Sequence, residues 1–322
     1  MNSELLKNKI VHINEILEKR LPLGDEFGRI CEAMRYSVLN GGKRLRAIML
    51  LESFRIYSDD EALEKRIVEP FVTAIECIHG YSLVHDDLPA MDNDVLRRGK
   101  PTTHVAFGHA MGVLAGDALL NYAFETVSEI AEDDDSIDPE MYLKILKAYR
   151  VLAVKPGYSG MIGGQVLDTT VKYEPGVVTS GYDELNAYGR RIEDPAKLKF
   201  VLRVYELKTS RLFETALMCG AILGGAGKED TALLEEAGRA LGLAFQIEDD
   251  ILDLTSDAAT LGKSVNIDEK NDKDTVARIL GIDTATELVK MYTEKAVDSL
   301  KKLNHNTEFL QDLFESLVFR KL

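Results

Sequence analysis

The stretch Ile75-Glu76-Cys77-Ile78-His79-Gly80-Tyr81-Ser82-Leu83-Val84 runs straight into His85-Asp86-Asp87-Leu88-Pro89-Ala90-Met91-Asp92-Asn93-Asp94. Its first part is apolar at helical spacing and reads as a buried helix. Pro89 ends or kinks that helix, so Asp86 and Asp87 fall near its C-terminus and Asp92 just beyond. Four aspartates this close repel one another unless positive charge sits among them. A helix C-terminus already carries partial negative charge, which makes uncompensated carboxylates there worse. A solvated acidic loop is the bland reading. Acids at the end of a buried helix point instead to a hard-cation site, and oxygen-only ligands favour Mg²⁺ or Ca²⁺ over zinc.

Outward from this stretch, most of the 322 residues keep the helical period. Apolar residues recur at i, i+3, i+4 and i+7 over Met1–Arg20, Phe27–Leu39, Lys43–Tyr57, Phe71–His85, His104–Ala131, Pro139–Val154 and Leu233–Leu254. Strand-like alternation is confined to the short pieces Val171–Tyr173 and Val177–Thr179. Many helices are apolar on more than one face, which suits layered central helices. The expected fold is all-α: one large helical bundle of more than four helices, spanning 1–322 as a single domain.

Lys and Arg total 39 against 54 Asp and Glu, a net charge of −15. That argues against non-specific nucleic-acid binding, which needs basic surface. It also argues against anionic membranes as the main partner. Cys31, Cys77 and Cys219 are widely spaced, as expected for thiols in a reducing compartment. The N-terminal residues mix charged and apolar types, unlike a signal peptide, and no uncharged apolar run reaches the length of a membrane span. The expectation is a cytoplasmic protein without a membrane span.

A second acidic group, Gln246-Ile247-Glu248-Asp249-Asp250-Ile251-Leu252-Asp253, puts Gln246, Asp249 and Asp253 on one helical face. Two acid clusters far apart in sequence, each on an otherwise apolar helix, are more specific than either alone. Facing each other, they would hold several divalent ions, with a bridging polyanion completing the coordination. Basic groups interleave with them. Gly41-Gly42-Lys43-Arg44-Leu45-Arg46 is expected to place Lys43 and Arg46 just inside a helix start, where an anion suits the N-terminus. Arg97-Arg98-Gly99-Lys100 follows the first acid cluster at once, and Lys208-Thr209 and Lys263 come later. Arg forks and Lys point charges are diphosphate-binding groups.

Taken in order, these motifs, with the run Met161-Ile162-Gly163-Gly164-Gln165-Val166-Leu167-Asp168 between them, resemble the short-chain trans-isoprenyl diphosphate synthases, closest to the bacterial farnesyl type. The resemblance covers nearly the whole chain. It implies an all-α bundle around a central cavity, usually homodimeric. It implies condensation of dimethylallyl or geranyl diphosphate with isopentenyl diphosphate, giving farnesyl diphosphate. By motif position, Asp86, Asp92 and Asp249 would ligate three Mg²⁺, or Mn²⁺ as a substitute, with Asp87, Asp250 and Asp253 in support. Arg97, Lys208 and Lys263 would meet the allylic diphosphate. Lys43, Arg46, His79 and Arg98 would hold isopentenyl diphosphate, and Thr209 and Gln246 would line the reacting carbons. Asp86, Asp92, Asp249, Lys208 and Arg97 form the expected catalytic set. Tyr81 and Ser82, ~6–7.5 Å down the helix from Asp86 at ~1.5 Å per residue, would stop the growing chain at C15.

The chain departs from the family pattern in places. Between Asp168 and Lys208 it is longer by roughly twenty residues, an apparent insertion around 173–195. Lys273-Asp274-Thr275-Val276-Ala277 replaces a Lys-x-Thr-Tyr-Pro pattern, which weakens Lys273 as a lid residue, and Asn266 stands where a Gly is usual. The alternatives are the same reaction giving geranyl or geranylgeranyl diphosphate, a class I terpene cyclase, or a non-catalytic synthase subunit. A cyclase does not require the Gly-Gly-Lys-Arg site, and a non-catalytic subunit would be signalled by a lost Asp motif; both motifs are intact.

Overall fold

A computed structural model of the chain describes residues 3–24, 26–132, 137–171, 173, 181–185, 192–255 and 274–318. Its helices are α1 (Ser3–Arg20), α2 (Gly28–Leu39), α3 (Leu45–Arg55), the short α4 (Glu61–Leu63), α5 (Glu69–Asp86), α6 (Thr103–Phe107), α7 (His109–Ser128) and α8 (Pro139–Val154). They continue with α9 (Met161–Thr170), α10 (Pro195–Tyr205), α11 (Arg211–Gly224), α12 (Lys228–Thr255), α13 (Val276–Leu280), α14 (Ile282–Lys301) and α15 (Glu308–Val318). Among the described residues the only sheet is the two-stranded hairpin β1 (Leu96–Arg97) and β2 (Lys100–Pro101). The chain is all-α, as its periodicity predicts.

Packing divides the chain into two compact units. One comprises residues 1–152 with 215–232, the other 153–214 with 233–322. In the first, α5 is the central element. Phe71, Val72, Ala74, Ile75, Cys77 and Ile78 are all fully buried, so every face of this helix finds a neighbour. It packs on α1, α2, α3 and α7. The continuous helical run Glu61–Asp86 is long and apolar enough to cross a membrane, yet 78% of its apolar window is buried in protein, as in a core helix. Buried charge is tolerated here where it is paired. Arg44 donates to Glu76 at 3.0 Å, to Asn14 at 2.8 Å and to the Val38 carbonyl at 2.7 Å.

In the second unit, α10 and α9 pack on a π turn, Glu206–Ser210, and α14 packs on α13 and α15. The buried side of α12 includes Leu241, Leu243, Ala244, Ile247 and Ile251.

Several expected elements change in detail. The predicted helix Lys43–Tyr57 begins at Leu45, because Gly41, Gly42 and Arg44 take φ of 82°, 122° and 50°, left-handed values that keep the chain out of the helix. The predicted helix His104–Ala131 breaks at Gly108, whose φ is 96°. Val177–Thr179 and most of the expected insertion around 173–195 lie outside the described residues, as do Lys263, Asn266 and Lys273.

Candidate active site

In the first unit, the acidic cluster is a compact turn capping α5. The Asp92 N–H donates to the Asp86 carbonyl at 2.9 Å, while Met91 and Asn93 donate to the Leu88 carbonyl at 2.8 and 3.1 Å. Pro89 ends the helix as expected, and Asn93 adopts the left-handed φ of 54° that closes the turn. Asp86 and Asp92, tied together by that backbone bond, are half-buried, whereas Asp87 is buried. Arg97, on β1, grips Asp87 with its fork: Nε lies 2.8 and 2.9 Å from the two carboxylate oxygens and Nη2 lies 2.6 Å from Oδ1. Burial pushes the Asp87 carboxyl above its ordinary range, and Arg97 pulls it back.

The basic groups of this unit gather near by. Lys43 is exposed in the turn before α3 and not inside the helix, a consequence of the left-handed run. Arg46 Nη1 lies 3.5 Å from His79 Nε2. Arg98 donates to the Gly41 carbonyl. Gly42 permits this approach, since a Cβ there would sit 2.8 Å from the Arg98 guanidinium. Burial, with Arg46, Arg98, Arg97 and Arg44 around it, drives the His79 pKa well below its ordinary value. The imidazole is therefore neutral at physiological pH, and the cluster draws its positive charge from arginines.

Tyr81 is buried on α5, its ring edge-on to His85 at 5.9 Å between centroids. Burial, then Asp86, pushes its hydroxyl pKa up to about 12. Ser82 donates to the His79 carbonyl at 3.0 Å, so its hydroxyl is turned back onto its own helix.

In the second unit, Lys208 and Thr209 sit on the π turn Glu206–Ser210. Such turns are rare inside helices and collect at functional sites. The turn is approached closely by α9, where a Cβ at Gly164 would lie 2.4 Å from the Lys208 backbone nitrogen. Lys208 Nζ pairs with Asp168 at 2.6 Å, and Thr209 donates to Gln246 Oε1 at 2.8 Å. Of the second acidic cluster, Asp249 is half-buried, while Asp250 and Asp253 are buried. Tyr205 Oη donates to Asp250 at 2.5 Å and accepts from the Val276 N–H at 3.4 Å.

The structure thus brings together Asp86, Asp87, Asp92 and Arg97 in one unit, Arg46 and His79 beside them, and Lys208, Thr209 and Gln246 in the other. Sequence reasoning missed three partners. Asp168 stands in the quoted Gly163-Gly164 run, Tyr205 three residues before Lys208, and Arg44 inside the Gly-Gly-Lys-Arg motif; only Arg44 carries a signal, as an extra cation in a motif read for its neighbours.

The donor chemistry fits a hard divalent cation. The clusters bring only oxygen donors. Asp87 and Asp250 are engaged by protein donors and suit support, whereas Asp86, Asp92 and Asp249 are the less buried members. Among the described residues, no three Asp, Glu, His or Cys side chains already form a closed metal cluster.

Comparison with known proteins agrees with this chemistry. The polyprenyl synthetase family model matches residues 28–309. Farnesyl diphosphate synthase of Geobacillus stearothermophilus is 38% identical over 292 residues, covering 91% of this chain and 89% of the relative. The large subunit 1 of the chloroplastic heterodimeric geranylgeranyl pyrophosphate synthase of Arabidopsis thaliana is 37% identical, covering 89% and 71%. The crystal structure of a geranyltransferase from Helicobacter pylori, complexed with magnesium and isoprenyl diphosphate, superposes with a TM-score of 0.76 at 28% identity, covering 98% of this chain and 95% of that one. The chain belongs to the polyprenyl synthetase family and is a prenyltransferase.

Proposed function

We propose that this enzyme condenses dimethylallyl and then geranyl diphosphate with isopentenyl diphosphate, releasing diphosphate and giving farnesyl diphosphate. The observation that carries the reading is the alternation of sign at one end of α5. Carboxylates Asp86, Asp87 and Asp92 suit cations, while Arg46, Arg97 and Arg98 around a neutral His79 suit a phosphate. Binding both a divalent cation and a phosphate-bearing ligand is what diphosphate chemistry requires.

Asp86, Asp92 and Asp249 would hold Mg²⁺, three ions in all, supported by Asp87, Asp250 and Asp253. Bound there, the ions supply positive charge where the leaving diphosphate gains negative charge. The chain's own groups do the rest. Arg97 and Lys208, with Lys263, orient the allylic diphosphate and share its developing charge. Lys43, Arg46, His79 and Arg98 hold isopentenyl diphosphate; His79, being neutral, can donate or accept without adding charge. Thr209 and Gln246 present oxygen dipoles to an allylic cation, and apolar surroundings exclude the water that would quench it. The proton lost at the end passes to the departing diphosphate, so no dedicated protein base is required. Tyr81 acts as the floor that limits chain length. In this reading the enzyme works as one all-α domain, as a cytoplasmic homodimer.

Incubation with Mg²⁺, labelled isopentenyl diphosphate and either allylic substrate, followed by sizing of the products, tests the proposal. A C15 product is expected. A C10 or C20 product would revise the length alone, and no condensation with either substrate would overturn the reading. Tyr81→Ala is expected to shift the product beyond C15; an unchanged distribution would remove Tyr81 from the floor.

A further inference from the structure

The π turn that presents Lys208 and Thr209 opens with Glu206, a buried carboxylate. Its Oε1 accepts from Arg203 at 2.8 Å and from Arg211 at 3.0 Å. Its Oε2 accepts from the hydroxyl of Tyr182 at 2.6 Å. Two arginines on one oxygen supply charge, and Arg239 Nη1 stands 3.8 Å from Oε2, too far to hydrogen-bond and so to set the tilt of the carboxylate plane. A directed O–H donor on the other oxygen fixes that plane.

Tyr182 comes from residues 181–185, within the stretch whose length departs from the family pattern. A neutral surface insertion would leave such residues solvated. Instead Tyr182 is 7% exposed and Leu185 3% exposed, and Glu184 accepts from Tyr292 Oη on α14 at 3.2 Å. Tyr182 also holds a φ of 58°, a left-handed conformation that a tyrosine keeps only when its surroundings enforce it. Burial first, then Glu206, raises its hydroxyl pKa, which keeps the proton available for donation across the physiological range.

A π turn is one residue out of step with the α-helix around it. Slippage by one residue would rotate Lys208 and Thr209 by about 100° around the helix axis. Whatever fixes Glu206 therefore fixes where those two side chains point. We infer that Tyr182 is a positioning residue: its hydroxyl pins Glu206 and so holds the π turn in the register that presents Lys208 and Thr209 to the allylic substrate. The role assigned to Lys208 and Thr209 rests on the proposed prenyl transfer; the pinning of the turn does not.

Tyr182→Phe keeps the ring and removes the donor. Tyr173→Phe is the control, because Tyr173 donates to Asp194 at 3.2 Å at the start of α10 and not to Glu206. With geranyl and isopentenyl diphosphates, Tyr182→Phe is expected to lower kcat about tenfold and to raise the allylic KM several-fold. The isopentenyl KM should stay unchanged, and Tyr173→Phe should leave all three constants at their wild-type values. A merely structural role would move both KM values together. Hydrogen exchange followed by mass spectrometry reads the turn without any turnover: amides 206–210 should exchange faster in Tyr182→Phe and not in Tyr173→Phe. Unchanged exchange there, equal shifts of both KM values, or the same change in the control overturns the inference. A wild type that condenses no substrate pair overturns the proposed reaction instead, and the exchange data then still decide whether Tyr182 pins the turn.

Discussion

Asp87 and Asp250 occupy the same place in their two motifs, the second aspartate of a pair at the end of a long buried helix, and they are held by opposite chemistry. Asp87 is gripped by a cation, the forked guanidinium of Arg97. Asp250 receives a neutral phenol, Tyr205 Oη, at 2.5 Å. The ionic anchor cancels one negative charge in the first cluster. The phenol orients its carboxylate and brings no charge of its own. The strength of the two anchors does not follow their charge. A buried ion pair must recover the cost of taking both ions out of water. At Asp87 that cost prevails, since burial lifts its pKa despite Arg97. A hydrogen bond from a neutral donor to a carboxylate carries only one such cost.

The largest expected effect removes a ligand rather than an anchor. Asp86→Ala and Asp249→Ala should each lower kcat by roughly 10³-fold or more, on the scale of losing a group that stabilises developing charge. Far-UV circular dichroism and the unfolding midpoint should stay near wild type, because both side chains are half-buried rather than part of the core. Retention of a tenth of the activity by either variant would mean that its cluster does not take part in the chemistry.

The anchors themselves come next, and their order is the sharper test. Tyr205→Phe deletes a donor to a buried carboxylate and should cost about 2 kcal/mol in urea unfolding. Asp87→Asn keeps an acceptor for Arg97 and removes the charge that burial already disfavours, so it should cost about 1 kcal/mol. Arg97 is 29% exposed, and water can take up part of what it loses. If Asp87→Asn proves the more damaging change, the ionic anchor is the stronger one and the comparison above is reversed.

How much of this could be read beforehand follows from the range of each interaction. The helices around Asp86 and Asp249 announce themselves through apolar residues one turn apart, a local signal. The break at Gly108 and the late start of α3 turn on single left-handed residues, which periodicity averages away. The hairpin Leu96–Arg97 and Lys100–Pro101 is too short to show a period of two. At the site, residue types were legible: carboxylates, arginines and a lysine-threonine pair in the right order along the chain. Their partners were not. Lys208 meets Asp168 and Tyr205 meets Asp250 across 40 and 45 residues of sequence, and only packing decides that. The π turn was equally hidden, since one extra residue in a helical ring leaves no mark on composition.

The smallest expected effect separates the two units by their response to acid. His79 is half-buried among four arginines, and desolvation and their charge both disfavour its protonated form. Its folded pKa is below the unfolded value of about 6.5, so between the two the unfolded chain binds the extra proton. Stability from this residue is therefore complete above about pH 6.5 and is lost as pH falls through that value toward the folded pKa. From about pH 7.5 to about pH 6.0 the loss for one such histidine is at most about 0.8 kcal/mol. His305, in the second unit, is exposed. Urea midpoints across this range should fall in the wild type and in a His305→Gln variant alike, and His79→Gln should flatten the fall. A steep decline surviving in His79→Gln would place the acid sensitivity elsewhere. The first unit would then lose its distinction as the one whose charge balance is set by arginines around a neutral imidazole.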